Sequence, residues 1–183
     1  MRLHPEGRVW VNLIGNQVVW LCAVAGAARG LQWPALVAAL LFVLSQMAVA
    51  KEPWREVRLL AGALLCAWMV DGTAALTGTV HYAAALWGNA PPPWILALWA
   101  AFAMTLTVSM RFLSRHWALP VAFGLLLAPL AYLSAARGFD AVRFAQPVWH
   151  GMVVLGVGWA VALSGLVWVA GGRPTADATG GGS

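Results

Sequence analysis

The stretch Trp68-Met69-Val70-Asp71-Gly72-Thr73 lies inside an apolar segment that covers residues 57–78. A segment of this length and character predicts a helix that can cross a bilayer. An ionisable side chain within such a helix costs free energy unless it is paired, hydrated or protonated. The carboxyl group of Asp71 is therefore the first candidate for a functional group, and the other polar residues are weighed as its neighbours.

The composition places the whole chain in a membrane. Of its 183 residues, 62% are hydrophobic and 9% are charged, whereas about a quarter of residues are charged in ordinary soluble domains. Many of the twelve Trp residues fall near predicted helix ends, as in interfacial aromatic belts. The net charge of +5 comes from residues scattered over short loops, which predicts membrane lipids as partners and no nucleic acid.

The apolar segments predict an all-α fold, a polytopic bundle of six transmembrane helices that forms one domain over residues 1–170. The helices are expected at residues 9–28, 33–50, 57–78, 94–112, 117–136 and 148–170. Residues 83–87 are expected to form a short interfacial helix, and Pro129 is expected to kink the fifth helix. Residues 171–183 are predicted to be a flexible tail that is partly a linker.

Two signals concern the ends of the helices. The sequence Ala-Ala-Arg-Gly occurs at residues 27–30 and again at 135–138, which predicts that a glycine cap ends the first and the fifth helix. With the N-terminus inside, eight of the eleven basic residues fall on the cytoplasmic side. This bias predicts that both termini are cytoplasmic.

A rise of about 1.5 Å per residue allows side chains to be placed by depth. Asp71 then falls in the outer half of the membrane, and other polar and aromatic residues reach its level. The residues predicted to form an outward-facing, ligand-binding pocket around Asp71 are Asn16, Gln17, Trp20, Trp99, Phe102, Tyr132 and, more than one turn above, His150.

Each of these residues also has a purely structural interpretation. Asp71 would join helices if it were protonated and hydrogen-bonded to Gln17 or Tyr132. Asn12 and Asn16 lie one turn apart on one helix face, a spacing that favours interhelical hydrogen bonds over ligand binding.

Signals of enzymatic and metal chemistry are absent from the sequence. It has no nucleophile elbow, no phosphate-binding glycine loop and no His-Glu-x-x-His motif. Cys22 and Cys66 lie within apolar segments and lack metal-ligand spacing. His81 and His150, near the outer surface, are more simply solvated histidines than a proton-relay pair. We therefore expect no metal and no cofactor.

Several short motifs carry a family resemblance. They are Asn16-Gln17-x-x-Trp20, Asp71-Gly72, Pro92-Pro93-Trp94 followed by Trp99 and Phe102, Gly124 with Pro129-x-x-Tyr132, and Gly158-Trp159. On these motifs, residues 12–168 resemble the bacterial inner-membrane family DUF2878, which has no established activity. The resemblance implies a multi-pass protein of the bacterial inner membrane in a context of fatty-acid modification.

The expected function is the binding of a lipid or another hydrophobic small molecule in the aromatic pocket around Asp71, in an accessory role to lipid modification. The sequence is also compatible with a homo-oligomer or with a membrane protein as partner. One alternative is a proton-coupled transporter or flippase in which Asp71 titrates. The other is a membrane enzyme with Asp71 and Tyr132 as an acid–base pair. It ranks lower because neither a nucleophile nor a metal set accompanies the pair.

Overall fold

A computed structural model describes residues 4–171 of the chain. Within them lie six helices and two short strands: α1 Pro5–Ala27, α2 Trp33–Ala48, α3 Pro53–Leu76, β1 Val80–Tyr82, α4 Pro93–Ala103, α5 Ala118–Phe139, β2 Val142–Phe144 and α6 Val148–Gly171. A 3-10 turn at Arg111–Arg115 precedes α5. Of the predicted tail, residues 172–183 lie outside the described residues.

Four of the helices, α1, α3, α5 and α6, are long and apolar enough to cross a membrane. The other two are shorter, with 16 residues in α2 and 11 in α4. A helix needs about 20 residues to cross the hydrocarbon core. The described chain is therefore a mostly helical membrane bundle with four full-length helices, and α2 and α4 fall short of the predicted length.

Helix α3 packs on α4 and α6. Buried residues recur every three or four positions along α3 and form its inner face. Small side chains such as Ala63, Ala67 and Ala74 are fully buried there. Small residues allow helix backbones to approach closely within a membrane. The same face carries Asp71, so this packing turns the carboxyl group towards α4, α5 and β1.

Helix α4 ends at Ala103, so the predicted helix over residues 94–112 is wrong in its second half. After Ala103 the backbone bonds shorten to a three-residue spacing, as in Thr105 N–H to the Phe102 carbonyl at 2.9 Å. The Thr105 hydroxyl donates to the same carbonyl at 2.7 Å, and Asn12 Nδ2 donates to the Met104 carbonyl at 3.0 Å. Hydroxyl and amide side chains thus compete with the helical bonds, which ends the helix.

Helix α5 widens into a π-helical segment at Phe123–Leu127, just before Pro129. Proline cannot donate the helical hydrogen bond, and the helix is irregular in the turn before it. The kink expected at Pro129 stays a prediction. The helix then continues to Phe139 and ends at Asp140, which has a left-handed backbone with φ 57°. The predicted glycine cap at residues 135–138 is therefore wrong.

At the first helix the same four-residue sequence behaves as predicted. Helix α1 ends at Ala27, and Gly30 takes a positive φ of 74°. The difference between the two sites is that α5 runs on towards β2, where Ala141 N–H donates to the Ala135 carbonyl at 3.1 Å.

The two strands pair antiparallel, with Val80 opposite Phe144 and Tyr82 opposite Val142. The predicted interfacial helix at residues 83–87 is wrong. Ala83 N–H instead donates to the Ala141 carbonyl at 2.9 Å, and Ala84 has a positive φ of 53°. The strands join the α3–α4 and α5–α6 connections, and we call this side of the bundle the hairpin end.

The opposite side, which we call the charged end, collects most of the basic side chains. The start of α1, the α2–α3 connection, the segment after α4 and the end of α6 surround one cavity there. Both ends of the described chain thus lie on the same side of the bundle.

Candidate functional site

The carboxyl group of Asp71 is fully buried and accepts three hydrogen bonds from aromatic side chains. The hydroxyls of Tyr82 and Tyr132 donate to Oδ1 at 2.8 and 2.6 Å. The indole N–H of Trp99 donates to Oδ2 at 2.7 Å. These donors come from β1, α5 and α4, so the carboxyl group of α3 joins three other elements.

The directions of these hydrogen bonds follow from the chemistry of the donors. The Trp159 indole N–H, which can only donate, lies 3.3 Å from the Tyr132 hydroxyl oxygen. The Tyr132 oxygen therefore accepts from Trp159 and sends its own hydrogen to Asp71. Burial, followed by the nearby Asp71 carboxyl group, raises the pKa of Tyr82 well above its ordinary value, so this hydroxyl also keeps its proton to donate.

The partners of Asp71 are all neutral. Within residues 4–171, the ion pair found within 4 Å joins Arg55 to Glu52 near the charged end. Three directed donors can satisfy a buried carboxyl group in place of a cation. Since each donor belongs to a large aromatic ring, the carboxyl group also sets the orientation of those rings.

An apolar cavity of about 290 Å³ lies beside this network, and we call it the aromatic pocket. The rings of Trp99 and Trp159 stack with their centroids 3.8 Å apart, and Phe102 meets Trp159 edge-on at 5.3 Å. Tyr132 also contributes to the lining. Two of the side chains held by Asp71 therefore form part of the pocket wall.

The pocket is open between α1 and α5. Its exposed lining residues are Gln17 on α1 and Leu127, Ala131 and Ser134 on α5. Towards the hairpin end Val24, Trp94 and Val142 of the lining are buried, and the half-buried Trp20 packs edge-on against Phe139 at 5.7 Å. The opening thus lies on the side of the bundle, where hydrocarbon chains would surround it, whereas the sequence predicted an outward-facing mouth.

The structure brings most of the predicted site residues together. Those that line the aromatic pocket are Asn16, Gln17, Trp20, Trp99, Phe102 and Tyr132. Asp71 lies behind the wall and is not part of the lining. His150 is exposed at the start of α6 and packs against Trp149.

Asn12 has the structural role that its spacing favoured. It is fully buried, and its amide donates to the Gln46 side chain at 2.9 Å. Its Oδ1 accepts from the Ser109 hydroxyl at 2.6 Å. Asn12 therefore joins α1 to α2 and to the segment that follows α4.

Three residues that support or line the site were not among the predicted site residues. Tyr82 reaches Asp71 from a strand, and Trp159 supports Tyr132 from α6. Trp94 lines the pocket and donates its indole N–H to the Ala83 carbonyl at 2.9 Å. The alternation of apolar and polar residues in Val80-His81-Tyr82 was the available sequence signal for Tyr82, but a strand was not expected in a membrane bundle.

Helices of this length and hydropathy, arranged around a buried polar network, define a polytopic α-helical membrane protein. The model of a family described as a protein of unknown function, DUF2878, matches residues 9–165, so the chain belongs to this family. No curated protein and no solved structure matches the chain.

The two tyrosines are expected to differ in their contribution to stability. Tyr132→Phe removes a donor to Asp71 and also leaves the buried Trp159 N–H without an acceptor, whereas Tyr82→Phe removes one donor. An unsatisfied buried donor costs about 1–3 kcal/mol. We therefore expect Tyr132→Phe to be the more destabilising by about 1 kcal/mol or more, measured by reversible unfolding in mixed micelles. Equal losses would show that the Trp159 N–H does not depend on Tyr132.

Proposed function

We propose that the protein binds the hydrocarbon part of a lipid, or of a similar hydrophobic small molecule, in the aromatic pocket. The observation that carries this proposal is an apolar pocket with aromatic walls and an opening between two membrane helices. Small-molecule pockets combine apolar walls with a few convergent polar groups and start at about 300 Å³. The volume suits a single chain better than a whole lipid.

In this proposal Asp71 organises the pocket and does not contact the ligand. It holds the Trp99 indole and the Tyr132 ring, which form part of the wall, by hydrogen bonds of 2.7 and 2.6 Å. Proton-coupled transport and acid–base chemistry would both require access to the carboxyl group. Its complete burial behind the wall favours the binding role.

We place the protein in the bacterial inner membrane with six crossings, so that the short helices α2 and α4 cross together with their flanking turns. The charged end would face the cytoplasm, because basic residues are retained on that side. The bound chain would then lie nearer the outer leaflet. An accessory role in lipid modification suits a protein that presents one chain without a catalytic group of its own.

Filling the mouth of the pocket should weaken binding. Ala131 is exposed and lines the opening, so the ring in Ala131→Phe would occupy the entrance. We expect the affinity for cis-parinaric acid, a fluorescent fatty acid, to fall about tenfold, or by about 1.4 kcal/mol. Energy transfer from the protein's Trp residues reports the binding.

The matched control is Ala122→Phe, on the same helix. Ala122 is also exposed but does not line the pocket, so its affinity should stay within about twofold of the parent, a difference below about 0.5 kcal/mol. Equal affinities of both variants and the parent would contradict the proposal.

A further inference from the structure

A second cavity, of about 790 Å³, lies at the charged end, and we call it the basic cavity. Five cationic side chains line it: Arg8, Lys51, Arg55, Arg111 and Arg115. Two carboxylates, Glu52 and Glu56, accompany them. The excess of positive charge suits an anionic group such as a phosphate.

The positive-inside rule explains basic residues at this end but not the buried groups among them. Glu56 is 6% exposed, and its Oε2 atom has no hydrogen-bond partner among the described residues. The Nε atom of the neighbouring Arg55 is likewise buried without a partner, although its NH1 atom lies 3.2 Å from Glu52. Buried charged groups are normally hydrogen-bonded. A ligand that brings an acceptor to Arg55 and a donor to Glu56 would satisfy both.

The backbone around the cavity is itself irregular. Residues 104–110 form successive turns instead of a helix, and all of them except Thr105 line the basic cavity. Non-helical backbone at membrane depth is tolerated where it is buried in protein or lines a cavity. Met110 lines the basic cavity and the aromatic pocket alike. The two cavities are therefore neighbours that share one side chain as a wall.

We propose that the two cavities hold the two ends of one amphiphile, a phospholipid with an ammonium group in its head. Its phosphate would lie among the arginines, its ammonium would donate to Glu56, and one acyl chain would occupy the aromatic pocket. A carboxylate next to an arginine-rich surface suits a zwitterionic head better than a purely anionic one. This proposal rests on the proposed function and adds the class of head group.

The test uses the full-length protein in detergent micelles and measures lipid binding by native mass spectrometry. The probes are phosphatidylethanolamine, phosphatidylcholine and the chain-free glycerophosphoethanolamine. Phosphatidylcholine carries the same charges but cannot donate a hydrogen bond from its ammonium. Glycerophosphoethanolamine carries the same head without the hydrocarbon chain, so it separates a lipid site from a site for a soluble phosphate ester.

We expect the parent to prefer phosphatidylethanolamine over phosphatidylcholine about tenfold, and to bind the chain-free head far more weakly. Glu56→Gln should reduce this preference, because a neutral amide oxygen accepts the ammonium hydrogen bond more weakly than a carboxylate does. The exposed pair Arg111→Gln with Arg115→Gln should weaken both lipids about tenfold. The control pair is Arg137→Gln with Arg143→Gln, two exposed cations at the hairpin end, which should change neither affinity.

Three results would overturn the proposal. One is an unchanged lipid preference in a folded Glu56→Gln variant, and another is equal loss in the two arginine pairs. The third is equally tight binding of glycerophosphoethanolamine and the intact lipid. If Glu56→Gln does not fold, the comparison of lipid binding by the two exposed arginine pairs still tests the proposal.

The proposed function can fail separately. Ala131→Phe could block fatty-acid binding while the arginine variants bind phospholipid like the parent. In that case the proposed head-group site is wrong, whereas the proposed binding in the aromatic pocket is retained. If the parent binds neither fatty acid nor phospholipid, both proposals are wrong.

Discussion

Replacing Asp71 with Leu will lower the free energy of unfolding by about 3 kcal/mol or more. Leucine removes the acceptor for the Tyr82 and Tyr132 hydroxyls and for the Trp99 indole N–H, and all three donors are buried. Each donor left without a partner costs about 1–3 kcal/mol. The loss is measured by unfolding in mixed micelles of increasing denaturing-detergent content.

Asp71→Asn should lie between the parent and the Leu variant. The amide oxygen can still accept from Trp99, and its NH2 group can donate to the Tyr82 oxygen, which is free to turn. The hydrogen bond with Tyr132 is the one that is lost, because the Tyr132 oxygen already accepts a hydrogen bond from Trp159. The control is Asp140→Asn, an exposed position with a left-handed backbone that Asn also tolerates. An Asp71→Leu variant as stable as this control would refute the network.

The same Asn variant separates an organising role from direct contact. Because Asp71 does not line the aromatic pocket, a folded Asp71→Asn protein should still bind fatty acid. Loss of binding at an unchanged unfolding midpoint would mean that the carboxyl group itself touches the ligand.

Replacing Gly124 with Ala should destabilise the contact between α5 and α6 by about 1–3 kcal/mol. A Cβ atom at Gly124 would lie 2.4 Å from the backbone nitrogen of Ala160 and 2.7 Å from the carbonyl carbon of Trp159. Backbone atoms of a packed helix cannot rotate away, so the helices must separate. Trp159, which supports Tyr132 and stacks on Trp99, would move with α6.

Gly138→Ala is the matched control on the same helix. A Cβ atom there meets nothing within 4 Å, and alanine favours a helix over glycine by up to about 1 kcal/mol. We therefore expect Gly138→Ala to be neutral or stabilising and Gly124→Ala to be destabilising, measured by unfolding and by Trp fluorescence. A similar effect at both sites would indicate that α5 and α6 do not touch at the π-helical segment.

Depth along a helix was predictable because the rise per residue is the same in every helix. Counting from the loops therefore predicted Asp71, Trp99 and Tyr132 at one level, and the structure joins them by hydrogen bonds. The rotation of each helix about its own axis was not predictable from the pattern of polar and apolar residues, since the lipid and the protein interior are both apolar. For this reason the sequence placed Asp71 in the pocket, whereas packing of its alanine face turns it behind the wall.

The features that the sequence did not predict depend on contacts between distant segments. Tyr82 reaches the site because β1 pairs with residues 142–144, and a three-residue strand leaves little periodicity to detect. Helix α4 ends at Ala103 partly because the side chain of Asn12 donates a hydrogen bond to the Met104 carbonyl, 92 residues further along the chain. The segment after Ala103 is still apolar, so hydropathy alone predicted a longer helix.

The order of synthesis gives the Asp71 network a consequence for membrane insertion. Tyr82, Trp99 and Tyr132 follow Asp71 by 11, 28 and 61 residues, so α3 leaves the ribosome before the groups that donate to its carboxyl. An Asp at the centre of an inserting helix costs about 2.5–3.5 kcal/mol, and the cost is smaller for Asp71, which lies five residues before the end of α3. The apolar residues of α3, with a mean hydropathy of 1.7 in their most apolar window, must carry this cost alone. Polar substitutions on the lipid-facing side of α3, at Leu65 or Met69, would therefore act during translocation, before any packing can compensate.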